Sequence, residues 1–105
     1  MATQSKPSST AVESERATWT FFTNHGHVLF FLASNPDART RDIADAVRIT
    51  ERAAQRIVRE LEEEGYVEIV KKGRRNSYVL HGKEKLRHPI EKHCSVEKLI
   101  KALNL

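Results

Sequence analysis

Arg52, Gln55, Arg56 and Arg59 are long hydrogen-bonding side chains, interleaved with apolar Ala54, Ile57, Val58 and Leu61. At 100° per residue the two sets fall on opposite sides of a helix, one apolar and one able to reach a base edge. An arginine can make two bonds to guanine O6 and N7, a glutamine two to adenine N6 and N7, and a carboxylate such as Glu51 can accept from cytosine N4. Thr50 and the free amides beside it suit a phosphate at the helix entrance. A second set, Lys71, Lys72, Arg74 and Arg75 around Gly73, contains no acid and carries four positive charges, equal to the net charge of +4 of the whole chain. Such a tip can straddle a phosphate backbone or reach a minor groove, with Asn76 and Ser77 as neutral phosphate contacts. A solvated basic tip and arginines kept for solubility are the plain alternative. Two such clusters on adjacent elements favour double-stranded DNA as the partner.

The elements that must position these groups can be read from the chain. Residues 1–17 are rich in Ser, Thr, Gln and Pro and are expected to form a disordered tail. Asn24 is placed to cap a helix from His25 to Ser34, with Val28, Leu29, Phe31 and Leu32 on its apolar face, ended by Asn35-Pro36-Asp37. Thr40 is expected to cap a short second helix to Val47, Arg48-Ile49 to turn, and Thr50 to cap a third helix reaching Glu64, with Gly65 as its left-handed terminus. Tyr66 to Val70 and Tyr78 to Leu80 suit two strands joined by a polar tip from Lys71 to Asn76. After a connector containing His88-Pro89, Ser95 can cap a final helix whose Val96, Leu99, Ile100 and Leu103 share one face. A helix that short needs packing on the domain or on a second copy.

This order describes a mainly α fold with a β-hairpin wing (α+β): a winged helix-turn-helix over residues 18–82, with a three-helix core, followed by a connector and C-terminal helix over 83–105 that packs on the domain or dimerises. The acids Glu62, Glu63 and Glu64 stand at the end of the third helix, away from the basic first turns that would enter a groove.

Bulk composition agrees. The chain has 105 residues, 39% hydrophobic and 30% charged, which suits one soluble globular domain. A pI near 9.5 favours an anionic partner. The apolar run from Val28 to Ala33 is far too short to span a bilayer, and no signal-peptide pattern opens the chain, so no membrane association and a cytoplasmic location are expected. Cys94 is the single cysteine, which excludes an internal disulfide.

The segments Trp19-Thr-Phe-Phe-Thr-Asn-His25, Ile49-Thr-Glu-Arg-Ala-Ala-Gln-Arg-Ile-Val58, Gly73-Arg-Arg-Asn76 and Leu86-Arg-His-Pro89 with Glu91 and His93 resemble the winged helix-turn-helix regulators of the MarR and ArsR type, and more closely a group of small prokaryotic transcriptional regulators. The resemblance covers about Trp19 to Leu103. It implies a three-helix core with a wing, DNA binding, and a homodimer formed partly through terminal helices; Trp19, Phe21, Phe22, Val96, Leu99, Ile100 and Leu103 are the residues assigned to that contact. It implies no catalytic residue, no cofactor and no defined effector. ArsR-type metal sensors carry Cys or His pairs, commonly with a Cys-Val-Cys stretch, and one cysteine does not meet that pattern.

Other readings stay beside this one. A winged helix can dock proteins without touching DNA, but an interaction face should show aromatic or aliphatic anchors where this helix shows Arg52, Gln55, Arg56 and Arg59. A metal-responsive repressor would use His81, His88, His93 and Cys94, yet the adjacency of His93 and Cys94 and the interruption at Pro89 fit a tetrahedral zinc site poorly. RNA reading lacks exposed stacking aromatics. No phosphate-cradling glycine loop, nucleophile elbow or His-Glu-x-x-His points to an enzyme. Arg87 and His88 would either contact an effector or partner subunit, or pin the connector through backbone carbonyls. One small domain leaves little room for a ligand pocket.

Overall fold

A computed structural model describes residues 19–105 of the chain, so the expected tail at 1–17 lies outside the described residues. Four helices and one hairpin follow in order: α1 (Asn24–Ser34), α2 (Thr40–Val47), α3 (Glu51–Glu63), β1 (Val67–Lys72), β2 (Arg75–Leu80) and α4 (Val96–Ala102). The result is the expected winged-helix arrangement.

The core is built from one apolar stripe per element: Val28, Leu29 and Leu32 of α1, Ile43 and Ala44 of α2, and Ala54, Ile57, Val58 and Leu61 of α3. Tyr66, Val67, Tyr78 and Val96 close it from the hairpin and α4 sides. These stripes repeat at three and four residues, so each helix has one side that gains by leaving water and one that does not. Burying side chains of this size contributes about 1.5–3 kcal/mol each before conformational entropy is subtracted.

The ends of α3 are fixed by local chemistry. The Thr50 hydroxyl accepts a hydrogen bond from the Ala53 amide at 3.0 Å, satisfying one donor that the helix cannot. At the far end Gly65 takes a positive φ of 86°. Its amide bonds the Glu62 carbonyl at 3.0 Å and the Tyr66 amide bonds Leu61 at 2.9 Å. That is a Schellman closure, with Tyr66 packed back toward Leu61.

Two caps differ from expectation by one residue. Thr23, not Asn24, caps α1: its hydroxyl accepts from the Gly26 amide, while Asn24 is already helical. Arg39, not Thr40, stands at the N-terminus of α2, because Asp42 reaches back to accept the Arg39 amide at 3.0 Å. A carboxylate three residues into a helix does this as well as a hydroxyl at its start. The contact holds the Asp42 carboxyl below the usual carboxylate range, the Arg39 backbone bond being the main cause and the Arg39 charge a further one.

The hairpin is longer than the apolar pattern suggested. Backbone pairing runs to Lys71↔Asn76 and Lys72↔Arg75, leaving a two-residue turn of Gly73 and Arg74 where a six-residue tip was expected. Strand pairing uses main-chain groups and does not require apolar side chains. Gly73, at φ 65°, supplies the positive first position that such a tight turn needs. The wing is anchored sideways: the Tyr78 amide donates to the Pro36 carbonyl at 2.8 Å, joining β2 to the α1–α2 loop.

The connector is a closed loop. A Lys85↔Ser95 bridge pins its ends, the Tyr66 hydroxyl donates to the Lys85 carbonyl at 2.9 Å, and Ser95 caps α4 by accepting from the Lys98 amide at 3.2 Å. Burial of Tyr66 raises the pKa of its hydroxyl. No helix among the described residues is long and apolar enough to cross a membrane.

Candidate nucleic-acid interface

With its apolar side locked in the core, α3 presents Arg52, Gln55, Arg56 and Arg59 to solvent, all exposed. α2 reaches α3 through a tight turn in which Arg48 adopts a left-handed φ of 69° and the Ile49 amide bonds the Ala44 carbonyl at 3.0 Å. The sequence reading of this face is therefore matched in orientation. Among the described residues, Arg52, Gln55 and Arg59 engage no other side chain by a hydrogen bond or ion pair.

Two members of the set are engaged. Glu51 lies 4.0 Å from Arg41 of α2, so its carboxylate is shared between a cation and any base it would meet. Arg56 Nη1 donates to Glu60 Oε1 at 3.4 Å. The same oxygen lies 2.6 Å from His25 Nε2 of α1, and this contact, followed by the Arg56 charge, holds the Glu60 carboxyl below its usual range. The sequence reading did not single out His25 or Glu60. Glu60 is four residues from Arg56, an ordinary helix pairing distance, so half of this contact was within reach of inspection.

Thr50 is exposed, and although its oxygen accepts from Ala53, its hydroxyl hydrogen is left to donate to a phosphate. On the wing, Lys71, Lys72 and Arg74 are exposed with no partner among the described residues. Arg75 departs from expectation: its Nη2 donates to the Asp37 carbonyl at 2.8 Å, making it a strut between the hairpin and the α1–α2 loop. Ser77 is a correction, being 8% exposed. It sits opposite Val70, two register positions in from the Lys72↔Arg75 pair that flanks the turn, and its side chain is buried instead of standing on the exposed tip. Asn76 is half-buried and its Oδ1 is shielded without a hydrogen-bond partner.

The residues assigned to self-association separate into two kinds. Val96 is 1% exposed and fills the chain's own core, leaving no surface for a second copy to meet. Leu99 and Ile100 are half-buried, whereas Trp19 (68%), Phe21 (89%), Phe22 (37%) and Leu103 (39%) remain exposed. The aromatics pack edge-on in pairs, Trp19 with Phe21 at 5.2 Å and Phe22 with Phe30 at 5.0 Å between ring centres. Trp19, Phe21 and Phe22 all stay outside the buried core.

Arg87 and His88 do make structural contacts, though not to carbonyls: Arg87 ties the connector to the end of α3 and His88 bonds within the connector. Arg87 pairs with Glu64 at 3.3 Å, and His88 Nδ1 accepts from the Ile90 amide at 3.1 Å. Room for a ligand is larger than the chain length suggested: a cavity of about 710 Å³ opens between α1, the last turns of α3 and the connector, walled by Leu29, Phe30, Leu61, Tyr66 and Leu86. Helices packed on one side only, with a looped connector alongside, leave such a groove. Among the described residues no three His, Cys, Asp or Glu side chains converge on a metal position. Cys94 is half-buried and its thiol donates to the Ser95 carbonyl.

A model of the MarR family matches residues 23–75, which span α1 through the wing turn. No curated protein matches the chain. Among solved structures the fold is similar to the crystal structure of MepR, a transcription regulator of the Staphylococcus aureus multidrug efflux pump MepA, at 19% identity and a TM-score of 0.51. That match covers 89% of this chain and 66% of MepR, so the chain spans just under two thirds of the length of that protein. The family match takes in the two elements that carry the basic face and ends at the wing turn, and on it the chain belongs to the MarR family.

Proposed function

We propose that the protein is a sequence-specific DNA-binding regulator of transcription that acts as a homodimer. The observation that carries this reading is the rigid presentation of Arg52, Gln55 and Arg59 on a helix whose opposite side is fully buried, beside a wing whose Lys71, Lys72 and Arg74 are exposed and unpaired. A helix fits the major groove and its arginines match guanine, while wing cations bind phosphate on any sequence. Dimers of such modules read half-sites about 34–36 Å apart, so the operator should be roughly palindromic. Trp19, Phe21, Phe22, Leu99, Ile100 and Leu103 are the apolar surface available for that dimer. No catalytic role is assigned to any side chain.

The test is fluorescence anisotropy with labelled duplexes, including the DNA upstream of the protein's own gene, over a salt series. One duplex should bind preferentially, with log K falling steeply against log salt. Arg56→Ala should lower affinity for that duplex by about 1–3 kcal/mol and relax base preference. Weak binding that is indifferent to sequence would favour a module that docks proteins. Sedimentation equilibrium reads the dimer separately.

A further inference from the structure

Arg56 is the one member of the four long outward side chains that another described residue holds. An exposed pair four residues apart on a helix is ordinarily worth little, because two flexible side chains must be fixed together. Here one of them is already fixed. The Glu60 carboxylate is pinned from a second element, by His25 Nε2 at 2.6 Å, and α1 is itself packed on α3 through Val28 and Leu29. Oε1 therefore stands as a preset acceptor beside the arginine, at a distance of 3.4 Å.

Resting on the reading of α3 as a base-reading helix, we propose that Glu60 is a positioning residue that sets sequence discrimination by withholding Arg56 from the phosphate backbone. While paired, the guanidinium has its charge offset and its donors partly occupied. A phosphate offers it one charged contact in place of another, which gives little reason to leave. A guanine offers two parallel bonds to O6 and N7 in a fixed geometry, enough to draw it away. Arg56 then adds affinity on the right sequence and almost none on the wrong one. Its effect is felt as a ratio between duplexes.

The experiment compares Glu60→Gln and Glu60→Asp in both wild-type and Arg56→Ala backgrounds, on the preferred duplex and on a scrambled one, by anisotropy over a salt series. Glu60→Asp is the informative variant because it keeps the charge while its shorter stem cannot serve His25 and Arg56 together. Glu60 is only half-buried, and thermal melts of each variant check that it folds before binding is compared. The expected result is that both tighten the scrambled duplex about two- to fivefold and steepen its salt slope by about 0.9 per protomer, as one more cation meets phosphate. The preferred duplex changes less, so the specificity ratio falls, and in the Arg56→Ala background both effects vanish. The proposal is overturned if Glu60→Gln tightens binding equally with and without Arg56 while Glu60→Asp behaves as wild type, since Glu60 would then act only as a distant negative charge. It is also overturned if neither variant alters the ratio. Failure of the wild-type protein to prefer any duplex would instead overturn the underlying assignment of α3.

Discussion

Arg74 and Arg75 are neighbours at the wing tip, yet the structure gives them different work, and replacing each by alanine separates the two roles. Arg74 occupies the second position of the turn, exposed and without a partner among the described residues. Arg75 is committed to the Asp37 carbonyl at 2.8 Å. A side chain that neutralises one phosphate contributes about 0.9 to the slope of log K against log salt, hence about 1.8 for a dimer using both wings. Across a fourfold rise in salt that slope amounts to roughly a twelvefold change in affinity, so loss of Arg74 should flatten the salt response by that amount while leaving the preference between duplexes unchanged. Arg75→Ala should behave otherwise. An exposed side-chain bond to a carbonyl is worth about 0.5–1 kcal/mol, and in a domain this small its loss should lower the melting temperature by about 2–8 °C. Its salt slope should move by less than about 0.5. Anisotropy over a salt series and a calorimetric melt of each variant decide the matter. Equal changes in slope for both variants, with no loss of stability in Arg75→Ala, would refute the assignment of Arg75 as a strut.

Gly65→Ala should destabilise the domain by about 1–2 kcal/mol in urea denaturation, because no atom lies within 4 Å of the added methyl and the whole cost comes from the backbone at φ 86°. Val96→Ala should cost about 1.5–3 kcal/mol of stability and leave the association constant unchanged by sedimentation, whereas Leu103→Ala should weaken association with little effect on the melt. Asp42 supplies a pH dependence: its folded pKa lies below the unfolded value, so its contribution is complete above the ordinary carboxylate range and is lost as pH falls through the lowered folded value. Thermal melts between about pH 6 and pH 2.5 should show this acid-side loss, and it should be smaller in Asp42→Asn.

What could be read from the chain was what depends on neighbours along it. The apolar stripes of α1, α2 and α3 follow from 3.6-residue periodicity, and the end of α3 follows from a glycine placed after three acids. The outward set at 52, 55, 56 and 59 is the complement of that stripe, so it was legible for the same reason. Departures occur where chain neighbours do not decide. Ser77 and Arg75 look like wing-tip polar residues until the fold buries one opposite Val70 and bonds the other to the Asp37 carbonyl, 38 residues away. Val96 looks like any other member of an amphipathic face until Tyr66 and Tyr78 are seen to share its core. The contact between His25 and Glu60 spans 35 residues and exists only because α1 docks on α3. The i, i+4 spacing of Arg56 and Glu60 is visible along the chain, but no local pattern announces His25 as the third member. The position of a charge can thus be set by packing chosen for other reasons: Leu29 of α1 and Leu61 of α3 belong to one buried core, and the docking of the two helices places the Glu60 carboxylate between His25 and the outward Arg56.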